Sequence, residues 1–452
     1  MAAATAQEWQ TLYEVTGGNP LLLRWTIGQL GRSASQCRTV AEACTYLQNA
    51  PPDNDPLEYI FGDLLDTFAP SETAVLAALT HFAEPAPVKW IADLASLAER
   101  QAVTALDDLT DRALLVADPD GKSFYLPPLA AKFLRDKRPE AVSQAGDRLA
   151  ERAYALALEN GYRNYERFPL LEAEWSALTA ALPHLVQGDN TRLQKLCAAL
   201  EDFLNFSGRW DERLSLERQA EEKAVAANDL SNAGWRAYRV GWVSYLRGQS
   251  AEVLASAARA EDHWKRANAG PFEQATAIRL RGVGLELERN CPAAGEAYQQ
   301  SLDLFRTINP NSANVAMALN DLASVARLSH DYATAERDYR EALKIANKIG
   351  EREGVATGTA NLAGLALDRG DWSGAEQLAG EALVVAEEVG RQELIGHNCR
   401  FLAQAMTRQG RRSEGLPYAR RALAIYTRLR MPNDLADAQT TLKECEPPPD
   451  PK

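Results

Sequence analysis

The chain has 452 residues, 46% hydrophobic and 25% charged, so it can bury several globular cores, and this length predicts about three domains. Its formal net charge of −13 argues against nucleic acid or an anionic membrane as the main partner, because both require a concentrated positive surface. The sequence has neither a long apolar run nor an amino-terminal signal for secretion, which predicts a soluble, cytoplasmic protein that does not contact a membrane.

Residues 1–50 contain the stretch TGGNP, residues 16–20, between two helical patterns. Gly17 or Gly18 can end the first helix in the left-handed conformation, Asn19 can cap the second, and Pro20 suits a first helical position. These residues predict a helix–turn–helix corner. The faces expected to be apolar carry Trp9, Leu12 and Tyr13 before the corner and Leu23, Ile27 and Leu30 after it.

A break rich in proline and Asx, residues 50–56, separates this corner from a second segment, residues 56–138. Three or four helices, one with Ser71 as its expected N-cap, lead to a two-stranded hairpin around residues 118–121, which predicts a winged helix. The helix over residues 98–113 is the candidate for reading DNA. It carries more acidic than basic residues, so we expect no nucleic-acid binding by this domain.

The rest of the chain is helical and repeats. Residues 141–190 are expected to form linker and entry helices, and residues 191–446 a repeat region with a helical cap and a frayed Pro-rich end. Small residues recur in steps of 40 or 41, at Ala220, Ala260, Ser301, Ala342, Ala382 and Ala422. This resembles the tetratricopeptide repeat, with each helix longer by about one turn.

The resemblance implies a mostly α protein whose six long repeats stack into a right-handed superhelix. Gly208, Gly248, Gly370 and Gly410 occupy the turn inside a repeat, where a left-handed residue is useful. Arg289 and His330 stand at the same position in two repeats. We expect looser turns there.

The order of corner, winged helix and repeats resembles the C-terminal two-thirds of a bacterial STAND-class signalling ATPase of the NB-ARC type. The stretch YEVTGGNPLLLRWTIGQL is similar to the end of that family's nucleotide-binding core, and LLEAEWSALTAAL, residues 170–182, resembles its entry helix, although Ala177 replaces the usual Asn. The resemblance implies that the chain continues a longer protein, whose front binds ADP or ATP, and that Pro20 contacts the adenine. Pro127 stands where the family has a His that reaches the β-phosphate, so this phosphate contact is in doubt.

No GxxxxGK[ST] motif occurs, and no Ser/His/Asp or Cys/His set has a local signature, so the chain by itself is expected to hold no cofactor and to be no enzyme. The six cysteines have neither CxxC pairs nor metal-ligand spacing with the five histidines, which predicts buried thiols and no metal site.

One aromatic stripe is the candidate binding surface: Trp235, Tyr238, Trp242 and Tyr245 lie on one face of a helix. Gly241 marks the packing side, so the stripe should face the concave side of the superhelix. Alternatively, these rings fill a tight bend as core. The equivalent positions of other repeats carry polar groups suited to a peptide, and these are Lys195, Asp202, Asn205, Arg279, Glu286, Asn320, Arg327, His397, Arg400 and Gln404.

Two functions are compatible with these features. The first is a sensor and autoinhibitory module of a STAND ATPase, which recognises a protein, peptide or small-molecule trigger and controls oligomerisation through its own N-terminal nucleotide-binding domain, in transcription regulation or anti-phage defence. The second is a free-standing tetratricopeptide scaffold for protein–protein interaction. A P-loop upstream of Met1 would distinguish them.

Overall fold

The computed structural model describes residues 4–51 and 55–446, so the middle of the predicted break and the Pro-rich end lie outside the described residues. The described chain is mostly helical, with 24 α-helices and three short strands. It divides into two compact units, Met1–Glu159 with Pro169–Gly188, and Asn160–Phe168 with Asp189–Lys452. The boundaries predicted near residues 50, 138 and 190 stay predictions, and the structure groups most of the first three segments into one unit.

The first unit is built from short helices and a small sheet. Many of its helices start with a proline at the first position, where the missing N–H costs nothing. Its elements are α1 (Ala6–Val15), α2 (Pro20–Gln29), α3 (Val40–Gln48), α4 (Pro56–Thr67), α5 (Pro70–Leu79), β1 (Ala86–Pro87), α6 (Val88–Ala95), α7 (Glu99–Asp111), β2 (Val116–Ala117), β3 (Ser123–Tyr125), α8 (Pro128–Lys137), α9 (Pro139–Asn160), α10 (Phe168–Ala173) and α11 (Trp175–Gln187).

The corner at residues 16–20 has the predicted geometry. Gly17 and Gly18 have φ values of 59° and 69°, and Asn19 Oδ1 accepts hydrogen bonds from the N–H groups of Leu21 and Leu22 at 3.0 and 3.2 Å. Pro20 opens α2 and is exposed. Local turn chemistry therefore suffices to predict this corner.

The buried faces of α1 and α2 differ from the expectation. Tyr13 is 57% exposed and Ile27 46% exposed, whereas Trp25 is fully buried. The Trp25 ring lies 5.3 Å from the Phe61 ring and 6.3 Å from the Phe133 ring. The core face of α2 is thus set by aromatic residues that come from α4 and α8, which the spacing within α2 could not reveal.

The small sheet has three strands in the order β1-β3-β2, both pairs antiparallel. The predicted hairpin is β2 and β3, and the prediction missed β1, which is only two residues long and has no alternating pattern. The expected N-cap of α5 was also wrong: Ala69 precedes the helix and Pro70 starts it, so Ser71 lies within the first turn. The winged-helix assignment itself stays a prediction.

The second unit is a tetratricopeptide-like array of six helix pairs followed by one more helix. We call the first helix of each pair the A helix and the second the B helix. The pairs are α12 (Asn190–Phe206) and α13 (Trp210–Ala226), α14 (Leu230–Leu246) and α15 (Ser250–Arg266), α16 (Pro271–Leu287) and α17 (Cys291–Ile308), α18 (Ala313–Leu328) and α19 (Tyr332–Ile349), α20 (Arg352–Asp368) and α21 (Trp372–Val389), α22 (Gln392–Arg408) and α23 (Arg412–Leu429), and the last helix is α24 (Pro432–Cys445).

The predicted repeat register agrees with the packing. The small residue late in each B helix is at most 1% exposed, and at Ser301 the contact is with the A helix of the same repeat, since Ser301 Oγ donates to Ala275 O at 2.8 Å. Any larger side chain at this position would have to push the two helices apart. The residues are Ala220, Ala260, Ser301, Ala342, Ala382 and Ala422.

The prediction of looser turns at Arg289 and His330 is wrong. Both residues adopt φ = 61°, close to the 68° of Gly248. The Asn290 N–H donates to Leu285 O at 3.0 Å, as the Gln249 N–H donates to Ser244 O at 2.9 Å in the glycine turn. The helix–helix packing on both sides imposes the same left-handed conformation on a residue that does not favour it.

Replacing Arg289 by glycine should therefore stabilise the repeat unit by about 0.5–1 kcal/mol, because glycine adopts positive φ without a Cβ clash. The measurement is chemical denaturation of the full chain. Glu288→Gly is the matched control, since Glu288 has φ = −76° and gains nothing from glycine. An Arg289→Gly protein no more stable than the natural one would contradict the prediction.

The last helices of the array return to the first two repeats. Trp210 and Val243 share a hydrophobic cluster with Tyr426, Leu429 and Met431. A Cβ added at Gly208 would lie 2.2 Å from Leu429 Cδ2, and Arg430 forms an ion pair with Asp211 at 2.9 Å. We call this contact the closure. It joins the two ends of the array within the second unit.

Candidate functional site

A cavity of about 610 Å³ lies in the second unit. The A helices α12, α14, α16, α18, α20 and α22 provide most of its lining, and residues before the first repeat add Arg163. Because all A helices face the same side of a tetratricopeptide array, their inner residues converge on one space. The first and the last repeat, which the closure joins, both contribute lining residues.

All four residues of the aromatic stripe line the cavity. Tyr238 is buried at 7% exposure, and Trp235, Trp242 and Tyr245 are half-buried. The Trp242 and Tyr245 rings lie 5.2 Å apart, and both residues also pack against two hydrophobic clusters of the unit. The two alternatives considered from the sequence are thus combined, since one side of the stripe is core and the other is cavity wall.

Gly241 behaves as predicted. A Cβ at this position would lie 2.7 Å from Leu280 Cδ2 and 2.9 Å from Ser256 Cβ. The glycine therefore lets α14 approach its neighbours closely. The aromatic residues on the other side of α14 are turned toward the cavity by this contact.

Arg279 and Asn320 also line the cavity, but both are engaged by the protein itself. Arg279 is 5% exposed, and its Nε and Nη2 donate to the Asp321 carboxylate at 2.5 and 3.2 Å. Its guanidinium lies 5.2 Å from the Trp242 ring centroid. Asn320 Oδ1 accepts from Asn361 at 3.4 Å. These groups therefore form part of the cavity wall as well as offering contacts to a ligand.

Four of the predicted polar residues do not line the cavity, and two of them are arginines that form ion pairs. Arg327 Nε donates to Asp368 at 2.5 Å, and Arg400 lies 3.6 Å from Asp437 and over the Phe401 ring. Each of these ion pairs joins consecutive A-helix positions along the array and holds the guanidinium there. Of the other polar positions, Lys195 and Gln404 are also outside the lining, whereas Asp202, Asn205, Glu286 and His397 are part of it.

The sequence prediction missed several charged residues of the lining. Arg239 Nη1 lies 2.8 Å from Glu201 Oε1, and Arg213 Nη1 donates to Asn205 Oδ1 at 2.8 Å. Arg239 follows Tyr238 directly, so extending the stripe by one residue would have found it. Arg163 precedes the repeats and carries no periodic signal, so only the three-dimensional structure reveals it. Arg391 stands directly before α22, 40 residues after Glu351 directly before α20, so the repeat register could have found it.

The described residues contain no group of three or more His, Cys, Asp or Glu side chains that could hold a metal ion. All six cysteines are free thiols, and five of them are buried, as predicted. No helix in the described part of the chain has the length and apolarity needed to cross a membrane. Pro20 lies in the first unit, and its expected adenine contact stays a prediction.

Comparison with protein-family models finds the tetratricopeptide repeat in residues 273–348 and 314–388. No curated protein sequence matches the chain significantly. The family match covers the third to fifth repeats and agrees with the helix pairs of the structure. It extends over about a quarter of the chain.

Several solved structures are similar at low identity. One is a signal transduction ATPase with numerous domains (STAND) protein with a tetratricopeptide repeat sensor from Pyrococcus horikoshii, at 13% identity, TM-score 0.40, and coverage of 98% of this chain and 70% of that one. A Rap protein complexed with competence and sporulation factor has 12% identity, TM-score 0.45, and coverage of 70% and 91%. Aspartyl phosphate phosphatase F from Bacillus subtilis has 12% identity, TM-score 0.39, and coverage of 65% and 78%.

TM-scores this low carry no conclusion about function. The conclusion from the fold and the family match together is that the second unit is an array of tetratricopeptide repeats with a lined inner cavity.

Proposed function

We propose that the second unit is the sensor of a STAND-class signalling protein and that its inner cavity binds a peptide or small-molecule trigger. The observation that carries this proposal is the cavity itself, about 610 Å³ in volume and walled on one side by four aromatic side chains of α14. Cavities of about 300–1,000 Å³ with a few placed polar groups are typical of small-ligand sites.

The shape of the cavity favours a small trigger over the docking of a folded partner. Its volume accommodates a few peptide residues. The closure joins the two ends of the repeat array, between which a large partner would have to enter. Half-buried Trp and Tyr rings offer apolar area together with polar tips, which suits a ligand with both characters. A free-standing scaffold would be better served by an open groove.

The assignment to a signalling ATPase rests on the order of the corner, the proposed winged helix and the repeats. In this proposal the nucleotide is bound by a core that belongs to the parent protein, and the unliganded sensor holds that core in its inactive state. Trigger binding then releases the core to oligomerise. Transcription regulation and anti-phage defence are both outputs consistent with this scheme.

The position of the cavity suggests how binding is transmitted. Arg163 lies 3.8 Å from Asp202 and 3.7 Å from Glu351, so it connects the first repeat to the fifth across the cavity. A ligand that touches α12 and α20 together acts on the same pair of walls. Binding is therefore coupled to the spacing between repeats that the closure holds together.

The proposal is tested by selecting ligands from a phage-displayed library of random hexapeptides against the immobilised full chain. Trp242→Ala should weaken the selected peptides about 30-fold, the equivalent of about 2 kcal/mol for an aromatic anchor. Trp372→Ala is the matched control, because Trp372 is also half-buried but begins a B helix outside the cavity.

Unfolding curves of both variants show whether they are folded, and Trp235→Ala provides a second cavity variant. Selected peptides that bind Trp242→Ala and Trp235→Ala as tightly as the natural chain would show that the cavity is not the binding site.

A further inference from the structure

The charged lining of the cavity is unbalanced. Seven carboxylates and five guanidinium groups face it, which leaves an excess of two negative charges. The only lining histidine, His397, is engaged by Asp434, at 3.0 Å. The carboxylates belong to Glu201, Asp202, Glu286, Asp321, Glu351, Glu353 and Glu393, and the guanidinium groups to Arg163, Arg213, Arg239, Arg279 and Arg391.

The positive charges of the lining are already neutralised by the protein. Each of the five arginines contacts at least one lining carboxylate. The pairs are Arg163 with Asp202 and Glu351, Arg213 and Arg239 with Glu201, Arg279 with Asp321, and Arg391 with Glu353 and Glu393. The Nε atoms of Arg213 and Arg239 have no hydrogen-bond partner among the described residues. An anionic ligand would nevertheless have to compete with Glu201 for both guanidinium groups.

Glu286 is the carboxylate without a cation. It accepts hydrogen bonds from the hydroxyl groups of Tyr298 and Ser324, at 2.7 and 2.8 Å, and no ion pair reaches it from the described residues. Burial raises its pKa above the ordinary value. A half-buried carboxylate with hydroxyl groups as its hydrogen-bond partners gains from a positive charge supplied by a ligand.

A second acidic group of the lining lacks a hydrogen-bond donor at one of its oxygens. Glu393 is 2% exposed, and its Oε1 accepts from Arg391, whereas its Oε2 has no hydrogen-bond partner among the described residues. Because buried carboxylate oxygens are normally hydrogen-bonded, this oxygen is an independent indication of a missing donor. Glu286 lies on α16 and Glu393 on α22, so the two acidic groups that a cationic donor would stabilise come from separate helices.

The aromatic residues beside these acids add to the preference for a cation. The Tyr245 side chain lies near Glu286 and Asp321. Burial is the main cause that raises the pKa of Tyr245 above its ordinary value, and the negative charges of these two carboxylates raise it further. Trp and Tyr rings attract cations through the negative potential of their faces. The protein itself already uses this attraction, with Arg279 over Trp242 and Arg239 over Tyr238, each at 5.2 Å from the ring centroid, and Arg239 over Trp235 at 5.7 Å.

We infer that the ligand of this cavity is cationic and that an amine or guanidinium group of the ligand binds at Glu286 beside the aromatic stripe. This inference rests on the proposed function, since it takes the cavity to be the binding site. A basic peptide or a polyamine-like small molecule meets this requirement. An acidic peptide would instead add to the excess negative charge, leave Glu286 without a cation and leave Glu393 Oε2 without a donor.

The test uses the hexapeptides selected on the full chain from the random library. Their mean net charge should be positive, and Glu286→Gln should weaken the best of them at least 10-fold, because glutamine keeps the shape and removes the charge. Glu296→Gln is the matched control, since Glu296 is exposed on a B helix outside the lining. Binding should also weaken with added salt.

The outcomes separate the two proposals. Peptides that require Trp242 but are neutral or acidic, or that bind Glu286→Gln unchanged, overturn the cationic ligand and leave the binding site standing. Peptides whose binding does not depend on Trp242 or Trp235, or a selection that yields no binders at all, overturn both.

Discussion

Replacing Arg279 by alanine is expected to lower the free energy of unfolding of the repeat unit by about 3–5 kcal/mol, because the change leaves the Asp321 carboxylate without its cation in a buried setting. The side chains of Arg279 and Asp321 are 6% and 18% exposed. The guanidinium also loses its contact with the Trp242 ring. Chemical denaturation of the purified chain measures the effect.

The control for this prediction removes both charges. Arg279→Met combined with Asp321→Leu should recover most of the lost stability, since a buried ion pair can often be replaced by apolar groups at little cost. A single Arg279→Ala variant that loses less than about 1 kcal/mol would contradict the buried ion pair. Arg279, expected from the sequence to be a main ligand contact, is thus a poor probe of binding because its removal changes the wall itself.

Replacing Trp210 by alanine is expected to cost about 3–5 kcal/mol of unfolding free energy, the range typical for a large buried aromatic residue. Trp210 is 1% exposed, and its indole N–H donates to Asn205 O at 3.1 Å. It belongs to the cluster that joins the first repeat to Leu429 and Met431. The loss should therefore weaken the closure as well as the first repeat.

Two measurements separate these effects. Denaturation reports the loss of stability, and hydrogen exchange reports whether α23 and α24 lose protection together with α13. Trp372→Ala is again the control, because this half-buried residue takes no part in the closure. Exchange in α24 that stays unchanged in a destabilised Trp210→Ala protein would show that the closure does not depend on this residue.

The sequence by itself determined the helical architecture of the second unit. The 40- or 41-residue spacing of small residues identified the repeats, because the closely packed helices leave no room for a large side chain at this buried position of each B helix. The spacing of aromatic residues along α14, together with Gly241, placed the stripe on the inner face. Both are short-range properties, set by the 3.6-residue period of one helix and by its immediate neighbour.

The tertiary structure alone decided which polar side chains reach the cavity. Arg327 and Arg400 hold the predicted helix positions but lie in ion pairs with Asp368 and Asp437 on the next A helix or the cap, outside the lining. Arg163 lies before the repeats and has no repeat position, yet it lines the cavity. The physical reason is that the partner of a side chain depends on the rotation from one repeat to the next and on the closure. The rotation adds up over six repeats and is set by packing contacts, which no local pattern in the sequence records.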